Sequence, residues 1–185
     1  MSGFKLLSLS VLLLSTASAE DWPGFRGPTG LGYSSGKDLP LTWGGEDFEN
    51  VLWQSPLVGE GHASPIVWKD RVFVCTARWD EPVKDRKQVI PEHHVLCYRV
   101  SDGRQLWDRT VEPGPWLRTD FRRGPGGGYA APTPATDGRL VYVVFASSVI
   151  AAFDFDGTQV WRKVIVHTGS TSPLAPVPCS IGTPC

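Results

Sequence analysis

The sequence predicts an all-β fold made of repeated four-stranded antiparallel sheets, because one block of sequence occurs twice and begins a third time. Residues 64–74 align with residues 133–143, and residues 102–107 align with residues 156–161. A further Ser-Pro-Leu start follows at 172–174. Such a unit buries its apolar face only against a neighbour, so the repeat decides the architecture.

The repeat is 39 residues long, which is the distance from Pro134 to Pro173. Pro65 and Pro134 are 69 residues apart, and two insertions of 15 residues each account for the difference. One insertion falls in residues 112–127, and the other separates the second and third strands of the first unit. A unit of about 40 residues is typical of a propeller blade. We therefore predict a partial β-propeller with about two blades and the start of a third.

The strands are predicted from short runs of β-branched and aromatic residues that lie between turn residues. They fall at 63–68, 71–75, 94–99 and 105–111 in the first blade, and at 140–145, 149–154 and 159–166 in the second. No stretch has a helical period. We divide the chain into a signal peptide at 1–19, an N-terminal segment with a closing strand at 20–58, blade 1 at 59–111, a Gly/Arg-rich insertion at 112–127, blade 2 at 128–168, and the start of blade 3 with a Pro-rich tail at 169–185.

The first 19 residues are predicted to be a secretory signal peptide. Lys5 precedes a short apolar run, and Ala17-Ser18-Ala19 provides a small-residue cleavage site before Glu20. The run is too short for a membrane-spanning helix, which needs about 20 residues. We expect a periplasmic or extracellular protein without stable membrane insertion after cleavage. An uncleaved membrane anchor is the alternative.

The composition favours a turn-rich β-protein, with 20 Gly, 16 Pro, eight Trp and one Met. Because Lys5 is the only charged residue before Glu20, the chain after cleavage would carry 17 basic and 19 acidic side chains. This balance gives no reason to expect nucleic acid or an anionic membrane as a partner. The expected partner is an unknown protein or small molecule on the propeller face.

Three tryptophans, Trp53, Trp107 and Trp161, occupy the same phase of the repeat. Gly103 and Gly157 precede the last two by four residues, in Asp-Gly turns where glycine admits a positive φ. A Trp on the outer strand can lie flat over the neighbouring blade and bury a large area. We predict that these five residues dock each blade on the next.

Cys75 and Cys97 fall in adjacent predicted strands, where they come close to facing each other. An exported chain meets oxidising conditions that permit a disulfide. The sequence leaves two interpretations open, a Cys75–Cys97 disulfide or two buried small residues. Cys179 and Cys185 have no metal-ligand spacing.

The Asp-Gly-x-Gln-x-Trp pattern at 156–161 resembles the tryptophan-docking repeat of the PQQ-like (quinoprotein alcohol dehydrogenase-like) β-propellers. The opening at 21–28, Asp-Trp-Pro-Gly-Phe-Arg-Gly-Pro, and the segment at 126–138 are similar to secreted PQQ-like repeat proteins of planctomycete-type bacteria. Cys97 and Arg99 depart from the pattern, which usually has Ala and Asp at these positions.

The resemblance implies a closed ring of typically seven or eight blades, and therefore a chain of several hundred residues. After Leu174 the pattern is lost, because four prolines between residues 173 and 184 exclude a central strand. We expect a truncated or frame-shifted copy of a longer chain. A genuine short protein is the alternative.

No pattern of residues predicts catalysis or metal binding. His93 and His94 are neighbours on a strand and point to opposite faces, and His62 is expected in a loop near the funnel. The Gly-rich run at 124–128 lacks the Lys and the following helix of a phosphate loop. We interpret two charged stretches as solvated loops, the mixed run at 80–87 and the cluster of Arg118, Asp120, Arg122 and Arg123.

The resemblance also states what a PQQ-dependent dehydrogenase would need, namely a calcium site of Glu, Asn and Asp and an adjacent Cys-Cys pair. The chain has no Cys-Cys, and Asn50 is its only Asn. We therefore expect no cofactor, no metal and no catalytic residue, and we predict an exported, non-catalytic binding or assembly scaffold. The alternative is an N-terminal fragment of a PQQ-dependent quinoprotein oxidoreductase.

Overall fold

The computed structural model describes residues 20–37, 39–80, 89–115 and 128–165. These ranges contain the strands β1 (Ile66–Trp68), β2 (Arg71–Arg78), β3 (Glu92–Arg99), β4 (Gln105–Val111), β5 (Ala135–Thr136), β6 (Leu140–Phe145), β7 (Val149–Asp154) and β8 (Gln159–Val164), with a 3-10 turn at Gly128–Ala130. They form two four-stranded antiparallel sheets in the orders β1-β2-β3-β4 and β5-β6-β7-β8. The predicted all-β fold, a partial β-propeller of four-stranded blades, is confirmed.

Strands β4, β6 and β7 have the predicted bounds. Strands β2 and β3 are longer than predicted because their pairing continues to Arg78 opposite Glu92. Strand β1 is shorter, because the amides of His62 and Ala63 donate to the Ala130 carbonyl of the next blade instead of extending the sheet. Strand β8 ends at residue 164, two residues before the predicted end.

The apolar core lies between the two blades. Blade 1 contributes Phe73 and Cys75, and blade 2 contributes Val141, Val143 and Phe145. Each of these side chains is at most 1% exposed. The alternation of strand residues therefore places one face of each sheet against the other blade, as stacked sheets require.

The repeat positions Phe73 and Tyr142 are equivalent but differ in burial. Phe73 lies on the face of blade 1 that blade 2 covers, and its ring centroid is 5.3 Å from that of Phe155 in blade 2. Tyr142 lies on the opposite face of blade 2 from Val141 and Val143, and no blade in the described part of the chain covers it. The same sequence position is therefore core in one blade and partly exposed in the other, as expected where neighbours supply the burial.

The N-terminal segment joins the inner strands of both blades. Trp22 exchanges two backbone hydrogen bonds with Val67 of β1, at 2.7 and 3.0 Å. The next residue, Pro23, accepts a bond from the Thr136 amide of β5 at 2.8 Å. Asp21 accepts a bond from the Lys69 amide at 2.6 Å. The N-terminal segment is thus hydrogen-bonded to the inner strands of both sheets and connects the two blades.

Several predicted segments fall outside the described residues, namely the signal peptide at 1–19, most of the insertion at 112–127 and the tail at 169–185. The division of the chain into these segments stays a prediction. Within the described ranges no helix is long and apolar enough to cross a membrane.

Candidate functional site

Trp107 of β4 packs against blade 2. Its ring is 7% exposed and packs near Phe73 and Phe153, with ring centroids 5.8 and 6.2 Å away. Its indole N–H donates to the Phe155 carbonyl at 2.9 Å. The ring also lies over Gly157, where φ is +84° and an added Cβ would stand 2.9 Å from the indole. Glycine serves two purposes here, because it adopts the turn conformation and leaves room for the ring.

The same arrangement occurs one unit earlier. The Trp53 indole N–H donates to the Val100 carbonyl at 2.6 Å, and the ring lies against Gly103, where φ is +67°. The Ser55 hydroxyl donates to the Gly103 carbonyl, and Arg109 makes the equivalent bond to the Gly157 carbonyl at 2.9 Å. Both tryptophans are therefore held against a glycine turn by ring packing and by a hydrogen bond to a main-chain carbonyl. Trp107 lies in β4, whereas Trp53 lies in a segment without strand structure.

Trp161 differs from the other two tryptophans. Its ring contacts Tyr142 of its own blade at 6.2 Å, and the indole is half-buried. The described residues offer its N–H no hydrogen-bond acceptor. A glycine turn equivalent to Gly103 or Gly157 is not among them, so the docking of Trp161 stays a prediction.

A second docking pair at the inner edge was missed from the sequence. The Trp68 ring of β1 lies over Gly138, where φ is +85° and an added Cβ would stand 2.6 Å from the indole. Gly138 was not among the residues predicted to dock one blade on the next. The repeat concealed the pair because the position of Trp68 is occupied in blade 2 by Asp137, which caps its own turn. The sequence signal for this pair was an aromatic residue, Trp68, followed one repeat unit later by a turn glycine, Gly138.

A buried Ser–His pair joins the two blades. His93 Nε2 lies 2.7 Å from the Ser147 hydroxyl oxygen, which also accepts a bond from the Gly114 amide at 3.1 Å. The imidazole stacks on Phe145 with centroids 4.4 Å apart. Burial lowers the pKa of His93 to about 4, so the ring is neutral at pH 7.

This pair is unsuited to hydrolysis. His93 and Ser147 are both 0% exposed, so a substrate carbonyl cannot reach the hydroxyl. No carboxylate of the described residues bonds His93 Nδ1. A serine nucleophile needs an accessible hydroxyl and a base that a third group orients. We interpret the pair as structural. Ser147 in the β6–β7 turn binds His93 at the start of β3 and also the Gly114 amide in the segment after β4, so it holds these three parts of the chain together.

On the other face of β3, His94 lies between two carboxylates. Its Nδ1 is 2.9 Å from Asp108 and its Nε2 is 3.3 Å from Glu92. Glu92 also binds Arg78 at 2.6 Å, and this contact is the main reason that the pKa of Glu92 is lowered. The described residues contain no cluster suited to a metal ion. His93 and His94 thus point to opposite faces, and each is held by its own partners.

A cleft of about 450 Å³ opens between the outer strands of the two blades. Its walls include Glu92, Thr110 and Gln159. Arg162 crosses the cleft and donates to the carbonyls of Glu112 and Pro113 at 2.8 and 2.9 Å. The charged groups of the cleft already have partners, because Arg162 lies 3.8 Å from the Glu112 carboxylate and Glu92 binds Arg78 at 2.6 Å.

The two described cysteines are free and buried. The strand register places Cys75 opposite Val95 and Cys97 opposite Phe73, so the two cysteines share a face of the sheet and lie two positions apart along the ladder. Burial raises the pKa of Cys75 to about 12 and that of Cys97 to about 11. Both side chains pack in the inter-blade core as small residues.

The remaining predicted loop residues contribute less. His62 is exposed, and its amide donates to the Ala130 carbonyl at 3.2 Å. Asp80 binds Arg78 at 2.9 Å. The predicted loop residues outside the described part of the chain are 81–87, the cluster of Arg118, Asp120, Arg122 and Arg123, and 124–127.

Two meander blades in face-to-face contact, each with the same repeat, define a β-propeller repeat protein of the PQQ-like class. Residues 47–174 match the family model described as outer membrane protein assembly factor BamB. The match covers 128 of the 185 residues, and the chain belongs to this family. A comparison with curated proteins finds no match.

Proposed function

We propose that this protein is an exported, non-catalytic propeller repeat that acts as a binding or assembly scaffold. The observation that carries the proposal is the state of its reactive side chains. The histidine and hydroxyl that meet at 2.7 Å are fully buried, and burial raises the pKa values of the two described thiols, Cys75 and Cys97, to about 12 and 11. Thiols in that range remain protonated at pH 7 and are poor nucleophiles.

The family description supports a role in assembly, since it is that of an outer membrane protein assembly factor. We extend this role to the present chain as a scaffold that presents surfaces to a protein or small-molecule partner in the periplasm or outside the cell. Export rests on the predicted signal peptide at 1–19, with cleavage before Glu20.

Within this scaffold, Trp53 with Gly103 and Trp107 with Gly157 are proposed as blade-docking pairs. Their indole bonds of 2.6 and 2.9 Å and the absence of room for a Cβ at either glycine support that role. Trp161 is proposed to dock in the same way on a further unit. A rigid stack of blades is what a scaffold requires, because preorganised surfaces bind with a smaller entropic cost.

The discriminating experiment is a titration of the purified chain with PQQ plus calcium, followed by Trp fluorescence. A scaffold without a quinone site predicts unchanged emission, since no quinone would be bound close to a tryptophan. Saturable quenching at micromolar PQQ would contradict the proposal and favour the oxidoreductase alternative. Free tryptophan at equal absorbance corrects for the light that PQQ itself absorbs.

A further inference from the structure

We infer that the N-terminal hairpin, residues 39–52, is a docking surface for a basic amphipathic segment of a partner protein. This inference rests on the proposed scaffold function and specifies the chemistry of the partner. It uses only described residues.

The hairpin presents large apolar side chains to solvent. The exposed fractions are 94% for Leu41, 89% for Leu52, 74% for Trp43, 61% for Leu39 and 53% for Phe48. Single exposed apolar residues are common on protein surfaces, but a concentration of five within 14 residues marks an interaction site. Trp and large aliphatic side chains are also the usual anchors of protein interfaces.

These side chains are held by a built turn. Gly44 and Glu49 exchange two backbone hydrogen bonds of 2.8 and 2.9 Å, and the Asn50 amide donates to the Thr42 carbonyl at 2.8 Å. Leu41 lies three residues before this bridge and Leu52 three residues after it, so each arm of the turn carries an apolar side chain that is almost fully exposed. The next residue, Trp53, fixes the second arm to blade 1 through its 2.6 Å bond.

Phe48 provides an independent sign that the turn is shaped to present side chains. Its φ is +52°, in the left-handed region that bulky residues rarely adopt, and its ring remains mostly exposed. The ring gains little burial from this unfavourable backbone conformation. Strained conformations of this kind are concentrated at binding and functional sites.

The charge of the hairpin selects the partner. Glu46, Asp47 and Glu49 lie in the turn between the two arms, and among the described residues none of the three forms an ion pair. The Glu49 carboxylate accepts a bond from the Thr42 hydroxyl at 3.3 Å. Residues 39–52 contain no Lys or Arg. A partner with apolar anchors flanked by Lys or Arg complements this surface, whereas an acidic partner would be repelled.

The test uses two fluorescently labelled peptides of equal length, one alternating Lys and Leu and the other alternating Glu and Leu. The full chain is titrated into each peptide, and the fluorescence anisotropy of the peptide is measured. We expect the Lys-Leu peptide to bind at least about tenfold more tightly than the Glu-Leu peptide, with affinity falling as NaCl is raised. The double variant L41S/W43S should weaken binding by about thirtyfold or more. The triple variant E46Q/D47N/E49Q should weaken it by about tenfold.

The matched control is Leu31→Ser, which removes an apolar side chain that is 70% exposed outside the hairpin and should leave binding unchanged. Equal binding of both peptides, or no response to the hairpin variants, would overturn the inference. Self-association of the parent chain that disappears in L41S/W43S would also overturn it, since the occupant would then be a second copy. If the peptide test fails while PQQ leaves the fluorescence unchanged, the hairpin inference falls and the scaffold proposal stands.

Discussion

Replacing Trp107 by Ala should destabilise the chain far more than replacing Trp161 by Ala. Trp107 fills the inter-blade core between Phe73 and Phe153 and is 7% exposed. Truncation of a buried Trp costs about 3–5 kcal/mol. The lost indole bond adds at most about 1 kcal/mol, because the Phe155 carbonyl keeps its bond from Arg71 at 2.7 Å.

We therefore expect a loss of about 4 kcal/mol in the free energy of unfolding for Trp107→Ala. Trp161 is half-buried against Tyr142 of its own blade, so Trp161→Ala should cost about 1 kcal/mol. Urea unfolding of both variants beside the parent, followed by circular dichroism, measures the difference. Trp107→Phe is the matched control, since it keeps much of the apolar volume and loses only the indole bond and part of the ring.

Equal losses from the two alanine variants, in a chain that unfolds in one cooperative step with unchanged m-value, would refute this account of the blade contacts. Such a result would mean that the contact of Trp107 with blade 2 does not contribute to the free energy of unfolding.

Three further predictions follow from glycine geometry, thiol burial and histidine burial. Gly157→Ala should lower the free energy of unfolding by about 1 kcal/mol more than Gly30→Ala, because both glycines have positive φ but only Gly157 faces an indole. Thermal unfolding of the two variants measures the difference, and equal losses would argue against docking. In a C179S/C185S background, Cys75 and Cys97 should fail to react with a thiol reagent at pH 8 until denaturant is added, and rapid native labelling would contradict their burial. Burial lowers the pKa of His93 from 6.5 to about 4. Between these pH values the unfolded chain binds a proton at His93 that the folded chain does not bind. The free energy of unfolding should therefore fall by up to about 3 kcal/mol as the pH drops from 6.5 to 4. Urea unfolding across that range should show a shallower loss in His93→Asn, and an unchanged slope would refute the assignment.

The sheets were predictable from the sequence because turn residues bound each strand. The Asp156-Gly157 and Asp102-Gly103 turns and the β-branched run at 140–145 fixed three strands to the residue. The strand at 63–68 was overestimated because its first half bonds to Ala130, about 70 residues away, and local pattern carries no information about such a partner.

The contacts between blades were partly predictable. Repetition pointed to Trp107 and Gly157, whose contact has a counterpart in Trp53 and Gly103. It concealed Trp68 and the Ser147–His93 pair, because each occurs in only one unit. Whether Cys75 and Cys97 lie directly opposite each other depends on a shift of two residues in the strand register. The hydrophobic pattern cannot determine such a shift, because residues two apart on a strand share a face.

The most direct test of the central claim, that tryptophans dock one blade on the next, is solvent exchange of the indole protons by NMR. The Trp53 and Trp107 indole protons donate to carbonyls at 2.6 and 2.9 Å, whereas Trp161 has no acceptor among the described residues. The account predicts strong protection for Trp53 and Trp107 and fast exchange for Trp161, with each resonance assigned by substitution to Phe. Exchange of Trp107 as fast as that of Trp161 would contradict it.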